Sequence, residues 1–191
     1  MKNLLASQAA MRWVWTIGAN VTLWMLLASL SIATGACAGR GGLEGRTTYR
    51  GPASTFRVGR IGDDWRRVDV GRQPGFAFSQ DGLGAVIEVH VACRADLDIP
   101  LVALTNQLLF GFTDREYLAQ ETVPMDHRAA QRTHIRAKLD GVERELLLYV
   151  LKKDGCVYDF VLSARPGAPF DRARTDFDRL VAGFQTGEAR S

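Results

Sequence analysis

The stretch RAAQRTHIRAKLDGVERELLLYVLKKDGCVYDFVLSA, residues 128–164, carries the clearest fold signal in this chain of 191 residues. Apolar and polar residues alternate over residues 133–139, which is typical of a strand with one buried face. Asp140-Gly141 is a strong hairpin signal, and a Lys-Asp-Gly turn follows the second strand. We therefore predict a three-stranded antiparallel meander with strands at residues 128–139, 142–151 and 156–164.

The middle strand of this meander requires cover on both faces. Residues 146–151 are continuously apolar, which is typical of a strand that is buried on both sides. One helix is predicted after Pro100, with an apolar stripe formed by Leu101, Leu104, Leu108 and Phe112. A closing helix is predicted beyond Pro169, with an apolar face formed by Ala173, Phe177, Leu180, Val181 and Phe184. We expect both helices to pack on the sheet.

Shorter elements are predicted on the N-terminal side of the meander. Extended segments are predicted at residues 56–58, 65–70, 76–78 and 85–93. Thr113-Asp114-Arg115-Glu116 has the order of a capping box and predicts the start of a further short helix. The order of elements predicts an α+β fold, in which a central antiparallel sheet carries helices as an α/β/α sandwich.

The order of elements between Phe56 and Phe184 resembles the Mog1/PsbP/DcrB-like group. The resemblance rests on the Gly-Asp-Asp-Trp turn at residues 62–65, the meander after the Pro-led helix, and the closing helix that contains Phe177. It implies an antiparallel sheet flanked by helices. The group includes bacterial lipoproteins, photosystem assembly factors and nuclear-transport cofactors, so the resemblance implies a fold without selecting a function or transferring a functional residue.

The N-terminal segment has the three parts of an export signal. Lys2 and Arg12 supply a basic start, residues 23–32 form the apolar middle, and Thr34-Gly35-Ala36 is a small-residue exit. Cys37 follows directly. This junction resembles the lipobox of bacterial lipoproteins, although Thr34 stands where that family usually has an aliphatic residue.

The lipobox resemblance implies a location in the cell envelope. Residues 1–36 would be removed as a lipoprotein signal peptide, and Cys37 would carry the fatty acyl groups, palmitate among them, that attach the protein to a membrane. Ala38 is not the Asp that commonly retains such proteins at the inner membrane, so the periplasmic side of the outer membrane is favoured. The alternative is an uncleaved single-pass anchor, because residues 13–32 are long enough to span a bilayer.

The segment after Cys37 predicts a simple domain organisation. Residues 37–48 are rich in glycine and predict a flexible tether. Residues 49–187 are predicted to form a single globular domain, and residues 188–191 a disordered tail.

Three cysteines fit an exported protein. If Cys37 carries lipid, Cys93 and Cys156 remain as an even pair, and an oxidising compartment favours a disulfide between them. The alternative is two buried thiols that do not meet.

Charge argues against a nucleic-acid partner. Removal of Lys2 and Arg12 leaves 22 basic and 21 acidic residues. Proteins that bind nucleic acid through many phosphates need a clustered surplus of Lys and Arg. We therefore expect no nucleic-acid partner.

Residues capable of chemistry are few. His90 and Cys93 could join a zinc site if another strand added ligands. Cys93 or Cys156 could act as a nucleophile beside His90 or His134. Asp96 and Asp98 could form a weak cation site, but a solvated loop whose last Asp caps the following helix is the preferred interpretation.

No hydrolase elbow, metalloprotease helix or phosphate loop is present in the sequence. We expect no cofactor, no metal and no catalytic residue. The sequence favours a lipid-anchored binding or assembly module that holds an unidentified envelope protein. The alternative is an envelope enzyme whose pocket is assembled from dispersed residues.

Overall fold

A computed structural model describes residues 41–187, which lie within one compact unit. The strands are β1 (Gly42–Glu44), β2 (Thr48–Arg50), β3 (Thr55–Arg57), β4 (Arg66–Val68), β5 (Gly75–Gln80), β6 (Ala85–Ala92), β7 (Phe112–Met125), β8 (Arg128–Leu139), β9 (Val142–Lys153), β10 (Cys156–Ala164) and β11 (Gln185–Thr186). The helices are α1 (Leu101–Leu108) and α2 (Ala168–Ala182), and a 3-10 turn spans Ala95–Leu97.

The strands form two antiparallel sheets. The larger has the order β4-β5-β6-β10-β9-β8-β7, and the smaller has the order β1-β2-β3-β11. The predicted meander is confirmed as β8, β9 and β10. Asp140 and Gly141 have positive φ angles of 51° and 78°, as a two-residue hairpin turn requires.

Strand β9 is buried on both faces, as predicted. Leu147 and Leu151 point into the main core, which also contains Phe177 of α2. Leu146 and Leu148 point to the other face, where they pack with Leu109 and Ile135, among others. The alternation along β8 and β10 positions their apolar residues in the same two layers.

Cover on the two faces of the large sheet is unequal. Helix α2 packs on one face together with the small sheet, whose Leu43, Tyr49 and Phe56 join the main core. Helix α1, with only eight residues, covers part of the other face over β8 and β9. The fold is therefore α+β and rich in sheet, so the predicted α/β/α sandwich is confirmed only in part.

The capping-box segment does not form a helix. Gly111 and Asp114 take positive φ angles of 88° and 50°, and the chain leaves α1 to enter β7. Thr113 pairs with Lys138 and Glu116 with Arg136, so the segment is an irregular start of a strand. The backbone hydrogen bonds to β8 outweigh the local capping preference.

The N-terminal boundary of the domain also differs from the prediction. Residues 42–44 form β1 and residues 48–50 form β2, although 37–48 was expected to be a tether. Leu43 is only 6% exposed and packs in the main core. One buried apolar residue in a three-residue strand is too short a pattern to show in the sequence.

The signal peptide, Cys37 and the predicted tail at residues 188–191 lie outside the described residues. Within residues 41–187, no helix has the length and apolar character needed to cross a bilayer.

Candidate functional site

A groove of about 600 Å³ lies between α2 and the second half of β7. Its volume is larger than the volumes of three other concavities, which are about 280, 410 and 420 Å³. The β7 wall carries Val123, Pro124 and Met125, and the other wall carries Val181, Ala182 and Phe184. Binding sites are usually concave and largely apolar with a few fixed polar groups, so this groove is the candidate site.

Arg132 of β8 and Tyr149 of β9 form the polar part of the groove. The two residues are paired on neighbouring strands, so they project from the same face of the sheet. This is the face that α2 covers, because Tyr149 packs against the main core. The Arg132 Nε donates a hydrogen bond to the Tyr149 hydroxyl at 3.1 Å, and its guanidinium carbon lies 5.9 Å from the centre of the Tyr149 ring. Arg132 also pairs with Glu121 of β7. These contacts fix a cation that is only 15% exposed.

The charges along the groove are balanced. Burial raises the pKa of Tyr149, so its hydroxyl remains a neutral donor and acceptor near pH 7. Burial alone would lower the pKa of Arg132, but its partners Glu121 and Tyr149 raise it overall. Arg174 pairs with Asp178 at 3.3 Å on the α2 side. The groove therefore suits an apolar segment that carries some hydrogen-bonding groups.

Asp126 fixes the turn at the end of the β7 wall. Its carboxylate accepts hydrogen bonds from the Lys153 ammonium at 2.7 Å and from the backbone N–H and hydroxyl of Thr186, each at 2.9 Å. Burial opposes ionisation, but these donors hold the pKa of Asp126 below its usual value. The β7–β8 hairpin is thereby tied to β9 and to the small sheet, which gives the groove a rigid wall.

Cys93 and Cys156 are joined by a disulfide in the structure. Val157 pairs with Ala92, so the two cysteines lie next to each other where β6 ends and β10 begins. A bonded cysteine has no thiolate to offer, so this arrangement provides neither the nucleophile nor the zinc ligand considered from the sequence. Residues 41–187 contain no group of three or more His, Cys, Asp or Glu side chains placed to hold a metal ion.

His90 lies on the open part of the sheet, beside two carboxylates. Its side chain is 24% exposed. The Nε2 atom is 3.3 Å from Glu88, and Asp159 of β10 is its cross-strand partner. Burial raises the pKa of Asp159 to about 6, against the opposing effect of His90. None of the four concavities is lined by a histidine.

His134 has a packing role. Its ring stacks on Phe170 with centroids 5.1 Å apart, and its Nε2 lies 2.8 Å from the buried carboxylate of Glu145. Glu145 also accepts hydrogen bonds from Arg136 at 3.4 Å and from the Gly167 N–H at 3.3 Å. The cluster joins the start of α2 to β8 and β9, and it lies outside the groove.

Asp96 and Asp98 are engaged by basic neighbours. Asp96 pairs with Arg94 at 2.6 Å, and Asp98 pairs with Lys152 at 2.6 Å. The α1 N-terminus has Pro100 at its cap position and no side-chain cap. The expected capping role of Asp98 is therefore wrong, because the Lys152 ammonium takes its carboxylate.

Sequence reasoning did not identify the groove. Its polar residues come from β7, β8, β9 and α2, and β7 itself was assigned in part to a helix. Val123 and Val181 carry no motif, and Arg132 stands just before the alternation predicted over residues 133–139. No signal in the sequence marked Arg132 as a site residue.

The chain matches no protein-family model and no curated protein sequence. Its fold is similar to that of solved structures. A protein from Bacteroides thetaiotaomicron aligns with a TM-score of 0.52 and 8% identity over 79% of this chain, which spans about half, 49%, of that protein. Cyanobacterial PsbP from Synechocystis aligns with a TM-score of 0.52 and 19% identity, over 81% of this chain and 99% of that chain.

A third structure is LpqN from Mycobacterium tuberculosis, which is described as involved in cell envelope biogenesis. It aligns with a TM-score of 0.48 and 13% identity, over 70% of this chain and 84% of that chain. The likeness to PsbP supports the PsbP/Mog1-like domain expected from the order of elements. At these identities the likenesses concern the fold alone.

Proposed function

We propose that this chain is a lipid-anchored accessory protein of the bacterial cell envelope, which holds a partner protein in the groove between α2 and β7. Cys37 carries the lipid, and the outer membrane on its periplasmic side is the favoured location. The role is non-catalytic. This role requires no cofactor and no nucleic-acid partner.

The observation that carries the proposal is the composition of the groove. Both walls carry apolar side chains, the cations of the lining are each paired with a carboxylate, and Arg132 and Tyr149 present fixed polar atoms. Apolar surfaces with a few pre-positioned hydrogen-bonding groups are typical of sites that receive a peptide segment. The lining carboxylates Glu121 and Asp178 are each paired with an arginine, so binding in this groove is better supported than acid–base catalysis.

Photo-crosslinking in the native envelope tests the groove. A photoreactive residue at Arg174, which lines the groove, is expected to give a discrete protein adduct. The matched control is Arg172, an exposed residue two positions away on α2 that does not line it. The adduct should disappear when Ala182→Trp fills the groove. Equal adducts at both positions, or an adduct that survives Ala182→Trp, would contradict binding in the groove.

Radiolabelled palmitate tests the anchor. The wild-type protein is expected to incorporate the label, and Cys37→Ala is expected to lose both the label and its association with the membrane. A Cys37→Ala variant that stays in the membrane fraction, together with a wild-type protein that takes up no label, would favour the uncleaved helix at residues 13–32 instead.

A further inference from the structure

The first described residues show how closely the lipid anchor restrains the domain. Leu43 is buried in the main core, and Gly41 packs against Tyr49 and Gly51. Gly41 follows Cys37 by only four positions in the sequence. A fully extended chain spans at most about 3.6 Å per residue, so about 14 Å is the longest possible separation between them. A lipid on Cys37 therefore holds the surface around Gly41 next to the bilayer.

The surface that surrounds Gly41 is formed by the loop between β4 and β5. Gly41 shares a concavity of about 420 Å³ with Arg67, Val70 and Gly71, among others. The loop continues through Arg72, Gln73 and Pro74, which are all exposed. We call residues 67–74 together with Gly41 the basal surface.

The basal surface lies at the disulfide end of the large sheet. Gly75 pairs with His90, two residues before β6 ends, and the Val91 N–H donates to the Pro74 carbonyl at 3.1 Å. The exposed Arg128 and the exposed Asp154 line a concavity beside Cys156 and therefore lie at this same end.

The basal surface carries two arginines, Arg67 and Arg72, against one acid, Asp69. Arg67 donates a hydrogen bond to the backbone carbonyl of Leu43 at 2.9 Å. Within residues 41–187, no carboxylate lies within 4.0 Å of the side-chain nitrogens of Arg67, Arg72 or Arg128. The one acid of the loop, Asp69, accepts a hydrogen bond from the Gly71 N–H at 2.8 Å. Unpaired guanidinium groups bind phosphate oxygens well.

We propose that the basal surface rests on the membrane that holds the anchor, with Arg67 and Arg72 against anionic phospholipid headgroups. This inference rests on the lipidation of Cys37 in the proposed function. Electrostatic attraction to a lipid surface decays over about 8 Å at physiological ionic strength, and the short connection keeps the arginines near that range. We expect the bilayer, and not a protein, to contact the basal surface, because the lipid on Cys37 holds this surface beside the membrane.

Photo-crosslinking of the full-length protein to labelled phospholipid tests the inference. A photoreactive residue at Gln73, an exposed neutral position of the same loop, leaves both arginines in place and is expected to form a phospholipid adduct in the native envelope. The matched control is Glu143, an exposed residue in the β8–β9 hairpin at the opposite end of the sheet, which should form none. In reconstituted vesicles, the yield at Gln73 should fall severalfold when phosphatidylglycerol is replaced by phosphatidylcholine.

The outcomes separate this inference from the proposed function. A palmitate-labelled protein that gives equal phospholipid adducts at both positions, or a protein adduct in place of lipid at Gln73, overturns the membrane-facing surface and leaves the anchor intact. A protein without palmitate overturns both the anchor and this inference. A phospholipid adduct confined to Gln73 supports the inference.

Discussion

Replacing Asp159 by asparagine is expected to stabilise the protein at neutral pH. Asp159 lies in the middle of the large sheet, between His90 on β6 and Val150 on β9. Its Oδ1 atom is buried and has no hydrogen-bond partner among the described residues. A buried carboxylate that lacks donors is destabilised in its charged form, and burial raises the pKa of Asp159 to about 6.

The magnitude follows from linkage between protonation and folding. The unfolded chain has the usual pKa of 3.8, so the folded state binds the proton more tightly than the unfolded state. The contribution of Asp159 to stability is therefore highest below pH 4 and is lost as the pH rises to about 6. Each pKa unit corresponds to about 1.4 kcal/mol, so the loss above pH 6 is about 3 kcal/mol. Asparagine has the same shape and does not titrate, and it avoids this loss.

Urea unfolding measures the effect directly. Trp65 is the sole tryptophan of residues 37–191, and it is buried, so its fluorescence reports unfolding of a protein that starts at Cys37. The difference in unfolding free energy between Asp159→Asn and wild type should be nearly constant below pH 4 and should grow by about 3 kcal/mol by pH 7. The control Asp81→Asn, at an exposed position, should change stability by no more than about 0.5 kcal/mol at any pH. A difference for Asp159→Asn that does not vary with pH would refute the burial argument.

Two further predictions concern stability. Thiol assays on the exported, denatured protein should find no free thiol at Cys93 or Cys156. Replacing both cysteines by serine should lower the unfolding free energy by about 4 kcal/mol, because the bond closes a loop with a sequence separation of 63 residues. Two free thiols in the wild-type protein would exclude the bond. Glu145→Gln should cost about 2 kcal/mol by denaturant unfolding, because hydrogen bonds to a buried charge are each worth about 1.5–3 kcal/mol. The control is Glu143→Gln, at an exposed position on β9 two residues away. Equal decreases in unfolding free energy for the two variants would show that the buried contacts of Glu145 add no stability.

The long strands of the meander could be predicted because each has a continuous pattern. In β8 the alternation is regular, and in β9 the apolar run is long enough to require cover on both faces. Strand β7 has no such pattern, because it is an edge strand with most of its side chains exposed on either face. Without alternation, the local order Thr113-Asp114-Arg115-Glu116 was the strongest signal left, and it favoured a helix.

The candidate site could not be predicted for a related reason. A motif is visible in a sequence when one element carries the chemistry, as a zinc helix or a nucleophile elbow does. The groove instead combines a wall from β7, a floor from β8 and β9, and a second wall from α2, and it exists only once the edge strand is placed beside β8. The position of Arg132 over Tyr149 depends on the register between two strands, which the hairpin at Asp140-Gly141 sets. A one-residue shift of that register would move Arg132 to the opposite face of the sheet and remove its contact with Tyr149 from the groove. The turn that made the fold predictable is thus also the element that positions the site.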